Sequence, residues 1–283
     1  MRSGFVAVVG RPNVGKSTLV NRMCGTKVSI VSDKVQTTRT QVRGVLTRPD
    51  AQIVFVDTPG ILKPRTLLGT RTNEAATSSV GNVDVVMLVI DATEKLGTGD
   101  RWIADRLPRN AVLVVNKVDA APRVEVLKQL GRAGELGFSE YFPVSAETGE
   151  GVDTLVRALI DRLPEGPQFY PDDMVRDVPE AFWVAELVRE QLLAVAEQEL
   201  PHSIACRVVE WEEREGRGPY VRVEILVERE SQKPIVIGRG GSVLKAVGSA
   251  VRAQLSRGAY LELFVKVAKD WQRQAHLLDR LGY

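Results

Sequence analysis

The amino-acid sequence predicts a doubly wound α/β domain with a mostly parallel sheet, followed by a smaller α+β domain. Three observations carry this. Apolar runs at 5–9, 83–90 and 111–115 are nearly continuous, as strands buried on both faces of a parallel sheet are. Segments with helical spacing alternate with strands, at 18–24, 99–107, 123–136 and 152–163. Beyond residue 165 the pattern becomes helix, two strands, two short helices and a strand. A chain of 283 residues has room for two ordinary domains. They are placed at 1–165 and 180–283, with 166–179 as a linker, because that stretch holds three prolines, several acids and little periodicity.

The strand at 5–9 runs into Gly10-Arg11-Pro12-Asn13-Val14-Gly15-Lys16-Ser17, and a helix opens at Thr18. Residues 25–40 read as a polar connection. Strands at 42–47 and 53–56 follow, the second ending in Asp57-Thr58-Pro59-Gly60. The run at 83–90 ends at Asp91, and the run at 111–115 ends at Asn116-Lys117-Val118-Asp119. In an open α/β sheet, ligands bind outside the carboxyl ends of the strands. These polar motifs all stand at such ends.

In the second part, 182–200 is an amphipathic helix whose Trp183, Val184, Leu187, Val188, Leu192 and Val195 suit it to cover a sheet. Strands at 204–211 and 220–227 form a hairpin around Gly216-Arg217-Gly218-Pro219. Next come the apolar turn at 234–237, Gly238-Arg239-Gly240-Gly241, a helix at 242–255, a strand at 260–267 and a short terminal helix after Asp270.

Composition narrows the class. Hydrophobic residues at 44% and charged residues at 26% are those of a globular protein. A net charge of +2 is too small to argue for nucleic acid by itself, so any basic surface must be local. Cys24 and Cys206 lie far apart without metal-ligand spacing, no signal peptide opens the chain, and no apolar stretch approaches the ~18 residues of a membrane span. A reduced, cytoplasmic setting is expected. His202 and His276 have no ligand cluster around them and read as structural or surface residues.

Gly10 to Ser17 has the spacing of a phosphate-binding loop, in which backbone N–H groups and a helix N-terminus surround phosphate oxygens. Gly10 and Gly15 permit backbone angles and approaches that a Cβ would block. Lys16 would reach the outer phosphates, and Ser17 would ligate Mg²⁺. Arg11, Pro12, Asn13, Val14 and Thr18 complete the cradle. Asp57 is placed as a second acidic contact to Mg²⁺, and the Gly60 N–H could bind the terminal phosphate. Asn116-Lys117-x-Asp119 is more specific. A carboxylate accepts from both N1–H and the exocyclic amine of guanine, and adenine offers no such pair. The reading is therefore GTP over ATP, with Asn116 as a brace, the Lys117 stem over the ring, and the Ala146 N–H of Ser145-Ala146 at the guanine O6.

These motifs, with Thr37-Thr38 between them, resemble the translation-factor-related P-loop GTPases over about the first 165 residues. The resemblance implies GTP hydrolysis, with Thr38 completing the Mg²⁺ shell and the switches at 25–40 and 58–80. One position departs from it. Ras-like GTPases carry a water-orienting glutamine after the Asp-x-x-Gly motif, and this chain has Ile61. Either Ile61 swings away and another group or a water network positions the nucleophile, or hydrolysis stays slow until a partner contributes. Asn13 resembles a subgroup in which such an asparagine helps hold K⁺ where other GTPases use an arginine finger. Arg39 and Arg11 are weaker candidates for that charge. The expected catalytic set is Lys16, Thr38, Gly60 and Asn13.

Gly238-x-x-Gly241 in its α-β-β-α-α-β setting resembles a KH domain of the bacterial type, whose glycine loop clamps about four nucleotides. Residues 166–283 hold 16 basic and 18 acidic residues, yet 231–269 carries Lys233, Arg239, Lys245, Arg252, Arg257, Lys266 and Lys269 against Glu262 alone, a local +6. The expected RNA contacts are Ile237, Gly238, Arg239, Gly240, Gly241 and Lys245. A GTPase followed by one KH domain is similar, over essentially the whole chain, to a family of ribosome-associated GTPases. That resemblance implies a monomeric cytoplasmic switch, sometimes at the inner face of the cell membrane, that binds the 3′ region of small-subunit ribosomal RNA and assists small ribosomal subunit assembly. The rival expectation is a signalling or membrane-associated regulatory GTPase whose C-terminal domain binds protein or lipid.

Overall fold

A computed structural model of the chain describes residues 1–195, 200–255 and 259–283. The elements of the first unit run β1 (Arg2–Val9), α1 (Lys16–Cys24), β2 (Val42–Arg48), β3 (Ala51–Asp57), α2 (Leu67–Ser78), β4 (Val85–Asp91), α3 (Thr98–Ala104), β5 (Val112–Asn116), α4 (Arg123–Gly134), β6 (Tyr141–Pro143), α5 (Val152–Arg162) and β7 (Arg176–Asp177). Among the described residues seven strands form one sheet in the order β6-β5-β4-β1-β3-β2-β7. β1 pairs parallel with β3 and β4, and β4, β5 and β6 continue in parallel, while β2 and β7 join antiparallel at one edge. β3, β4 and β5 are buried throughout, as their continuous apolar runs require. One core layer lies under α1 and α5, around Leu19, Phe55, Met87 and Leu155, and a second surrounds Leu88, Ile90, Ile103 and Leu113. The sheet's carboxyl ends thus carry every motif that the sequence singles out in this unit.

The stretch expected to be a linker, 166–179, is bound to this sheet. Gln52 takes the N–H groups of Phe169 and Tyr170 on Oε1 and donates from Nε2 to the Tyr170 carbonyl. Ser3 donates to the Pro167 carbonyl, and β7 pairs with β2. Its prolines suppress periodicity without freeing the chain, because side chains and an edge strand satisfy its main-chain groups.

The second unit contains α6 (Glu180–Val195), α7 (Leu200–Ser203), β8 (Ala205–Glu212), β9 (Tyr220–Val227), α8 (Lys233–Ile237), α9 (Ser242–Arg252), β10 (Tyr260–Val267) and α10 (Ala275–Leu281). The helix expected over 182–200 is described to Val195, and residues 196–199 lie outside the described residues. The sheet order is β10-β9-β8, with β10 parallel and β8 antiparallel to β9. Val221, Val223 and Ile225 of β9 are buried on the face that takes α6 and α9. No helix among the described residues is long and apolar enough to cross a membrane.

Candidate functional site

The phosphate loop takes its form from three left-handed or glycine-only turns. Gly10 has φ 153°, and a Cβ there would stand 2.4 Å from the Val89 carbonyl oxygen. Gly15, at φ 93°, leaves no room either, since its Cβ would meet Asn116 Nδ2 at 2.3 Å. Asn13 holds φ 63°, a conformation its short polar side chain tolerates better than most. The first bond of α1 is Leu19 N–H to the Gly15 carbonyl at 2.9 Å. The N–H groups of Lys16, Ser17 and Thr18 therefore open the helix without intrahelical acceptors, which is what an anion site needs.

Lys16 is 6% exposed and donates from Nζ to the carbonyls of Gly10 at 3.1 Å and Arg11 at 2.7 Å. Burial lowers its pKa to about 8, opposed by the charge of Asp57. Asp57 is fully buried, and burial raises its pKa against the nearby Ser17, Lys16 and Ser29. The two serine hydroxyls approach the carboxylate without hydrogen-bond geometry, so both Asp57 oxygens and Ser29 Oγ are buried without partners. Buried unpaired carboxylate oxygens are costly unless something positive faces them. Beside them Ser17 Oγ and Thr38 Oγ1 lie 3.0 Å apart. Ser17, Thr38 and Asp57 thus offer the oxygen donors that a hard divalent cation takes.

Pro12 and Gly60 touch so closely that a Cβ on Gly60 would come within 2.6 Å of Pro12 N. The Ile61 N–H donates to the Gly10 carbonyl at 3.3 Å. The Ile61 side chain packs against the apolar cluster that includes Leu88, Ile90 and Ile103.

On the base side, Asn116 is 1% exposed. Its Nδ2 donates to the Val14 carbonyl at 2.9 Å, and its Oδ1 accepts the Ala146 N–H at 3.0 Å. Asn116 thus ties the phosphate loop to the 145–146 turn, and the Ala146 N–H, the donor expected for the guanine O6, meets its Oδ1 here. The amide side chain reaches it because Ser145 is pinned by its own N–H to the Glu150 carbonyl and by Oγ to the Thr148 N–H. Lys117 has φ 67° and pairs with the buried Asp91 at 2.6 Å, its Cε lying 3.9 Å from where a Gly15 Cβ would stand. Asp119 is exposed on a short 3₁₀ turn, Val118–Ala120. Asp91, which pairs with Lys117, and Arg22, which donates to the Ala146 carbonyl, hold these loops and were missed by sequence reasoning. Asp91 had a signal, its place at the end of β4 one strand from Asn116. Arg22 had none.

In the second unit, Gly238, Gly240 and Gly241 have φ of 75°, 56° and 77° between α8 and α9. A Cβ on Gly238 would meet Val243 N at 2.7 Å, so the loop folds back onto the start of α9. Arg239 and Lys245 are exposed, and Ile237 is half-buried. The +6 count, however, mixes surfaces. Lys233 pairs with Glu230, and Lys266 pairs with Glu224 on the sheet face away from α9. Alternation along a strand explains the split. Arg257 lies outside the described residues. The cations grouped with the glycine loop and α9 are Arg239, Lys245 and Arg252.

Two family models match the chain, one described as a 50S ribosome-binding GTPase over residues 5–117 and one as a KH domain over residues 199–272. GTPase Era of Mycobacterium sp. (strain KMS) is 48% identical, covering 100% of this chain and 99% of its own length. GTPase Era of Mycobacterium tuberculosis is 48% identical, with coverage of 99% and 98%. Two solved structures superpose with a TM-score of 0.95 at 40% identity, covering 100% of this chain and 99% of theirs: Aquifex aeolicus Era bound to GDP·AlF4⁻, and Era in complex with MgGDPNP and nucleotides 1506–1542 of 16S ribosomal RNA. A guanine-type brace, a phosphate loop and a glycine-rich KH loop, matched over the full chain at this identity, mean that the chain belongs to the Era family of GTPases.

Proposed function

We propose that this GTPase works as a timed RNA grip: bound GTP orders the switches, the KH loop holds the 3′ region of small-subunit ribosomal RNA, and hydrolysis releases it during assembly of the small ribosomal subunit. The observation that carries this is the joint presence, in one chain, of the Asn116 brace and a loop whose three glycines all hold positive φ. The full-length similarity to Era, one relative of which is solved with a 16S ribosomal RNA segment, supports it. Ile237, Gly238, Arg239, Gly240, Gly241 and Lys245 are the proposed RNA contacts. The protein acts as a monomer in the cytoplasm.

Ser17, Thr38 and Asp57 would hold Mg²⁺, whose charge offsets that of the phosphates. Lys16 releases its two loop carbonyls to meet the outer phosphates, and the Gly60 N–H meets the terminal one. Ile61 stays in its apolar layer and leaves the water to other groups. K⁺ at Asn13 would add positive charge in place of an arginine. Turnover in KCl should exceed that in NaCl by about tenfold or more, and equal rates would remove K⁺ from the scheme.

Crosslinking RNA to the full-length protein with GTP and then GDP, and sequencing what is bound, tests the grip. Enrichment of the 3′ end of small-subunit RNA with GTP is expected. Absence of RNA in the GTP state would favour a C-terminal domain that binds protein or lipid.

A further inference from the structure

Arg11 sits in the phosphate loop, where a free guanidinium would be an obvious source of positive charge, yet its side chain is committed to another element. Nε donates to Asp100 Oδ1 at 2.8 Å, and Nη2 donates to Glu94 Oε2 at 2.8 Å. Asp100 is 1% exposed, and its second oxygen accepts the Gly97 N–H at 2.9 Å, capping α3. One buried carboxylate therefore serves both the helix start and the loop arginine. Gly99 lies against the arginine stem, and a Cβ there would stand 2.9 Å from Arg11 Cδ. The main chain around Arg11 is equally engaged. Its carbonyl accepts Lys16 Nζ, Pro12 abuts Gly60, and the Gly10 carbonyl accepts the Ile61 N–H. Residues 10–12 thus touch the phosphate lysine on one side and the start of the second switch on the other. The clamp on Arg11 ties this rim to α3 and the turn before it.

We propose that Asp100, assisted by Glu94, is a positioning residue for GTP hydrolysis. By clamping Arg11 it fixes the 10–12 rim against which Lys16 and Gly60-Ile61 are set, and it withholds the arginine from the phosphates. The clamp depends on shape as well as charge. Asp100 and Glu94 are met by different nitrogens of one planar fork, which a lysine ammonium cannot reproduce. Two carboxylates also neutralise the guanidinium where it stands. The inference rests on the chain's hydrolysing GTP and adds to it residues on α3 and the preceding turn that touch neither nucleotide nor metal.

The test uses the full-length protein and four variants, R11K, R11A, D100N and the double R11A/D100N. Turnover, KM for GTP, release of a fluorescent GDP analogue and the thermal midpoint are measured for each. A loop displaced by a fraction of an ångström should lower kcat by about tenfold while KM changes by less than about threefold. GDP release should rise several-fold. R11K should be as impaired as R11A, and the double variant no worse than the poorer single variant, because all break one clamp. Wild-type turnover in R11K would overturn the proposal, since charge alone would then suffice. So would D100N at or above the wild-type rate beside a slow R11A, because a freed Arg11 would then be acting at the phosphates. A lowered thermal midpoint with unchanged kcat and GDP release would leave Asp100 a helix cap only and would equally overturn it. If the wild type itself fails to turn over, hydrolysis is at fault, and the clamp is still judged on GDP release.

Discussion

Asn116 joins two loops that are remote in sequence, taking its partners 102 and 30 residues away. Its identity was readable, because an amide offers a donor and an acceptor on separate atoms of one short side chain. The partners of its neighbours were not. Lys117 meets Asp91 and the Ala146 N–H meets Asn116 because separate strands end side by side, and Arg11 meets Asp100 because α3 begins near the end of β1. Motif spacing names residue types along one segment and is silent about which segments meet. At Asp119 the sequence argument can be tried directly. The exposed carboxylate would accept from N1–H and the exocyclic amine of guanine, and Asp119→Asn would replace two acceptors with one acceptor and one donor. The variant should lose GTP affinity by a factor of about 10³ or more and gain affinity for xanthosine triphosphate. Competition binding with the two nucleotides checks this, and an unchanged preference would remove Asp119 from base recognition.

At the scale of elements, the buried strands were legible because continuous apolar runs have few other uses. Three elements were not. α2 (Leu67–Ser78) carries Gly69 and three threonines, all weak helix formers. β6 is three residues ending in Pro143, and β7 is two residues at an edge, too short for any period. α6 was legible as a helix but misleading in its polar face, because Glu186, Arg189 and Glu190 are buried with the apolar residues. Arg189 is fully buried, with Nε donating to Glu186 Oε1 at 2.8 Å and Nη2 to Oε2 at 2.6 Å. Removing one partner strands the other's charge, so Glu186→Ala should cost about 3–5 kcal/mol of stability in urea unfolding. Replacing both with Leu and Met should cost much less. Equal losses would mean that packing, not charge pairing, dominates there.

β7 gives an element-scale prediction with a sign. The Asp177 pKa is lowered first by the Tyr170 hydroxyl, which donates to Oδ2 at 2.7 Å, and also by Arg43 at 3.1 Å. A carboxylate favoured in the folded state contributes stability that is whole above its unfolded pKa near 3.8 and is lost as pH falls through the lowered value. Amide exchange over 166–179, corrected for the intrinsic rate, should therefore be slow at pH 5 and faster near pH 3. Asp177→Asn should be fast at both. Protection that is flat with pH in the wild type would mean that Gln52 and the main chain hold the strap without Asp177.

For the whole molecule, the charge ledger was readable but its geography was not. A near-neutral chain with an acidic C-terminal part can grip RNA only through a local patch, and the +6 of 231–269 spans the glycine loop proposed to make that contact. A contiguous count cannot tell the two faces of a strand apart, so it included Lys266, which pairs with Glu224 on the opposite face, and Lys233, which pairs with Glu230. Arg239, Lys245 and Arg252 are the described cations on the glycine loop and α9, beside three positive-φ glycines, and phosphate contact by these three is the arrangement to test. Single-stranded RNA releases about 0.7 counterions per phosphate neutralised, so three contacts imply a slope near −2 in log affinity against log salt. Replacing Arg239 and Lys245 together with alanine should flatten that slope by about 1.4 and weaken binding at low salt, while Lys266→Ala should leave both nearly unchanged. Filter binding of the 3′ segment of small-subunit RNA across a salt series measures all three. A Lys266 effect as large as that of Lys245 would move the RNA onto the outer sheet face and away from the glycine loop.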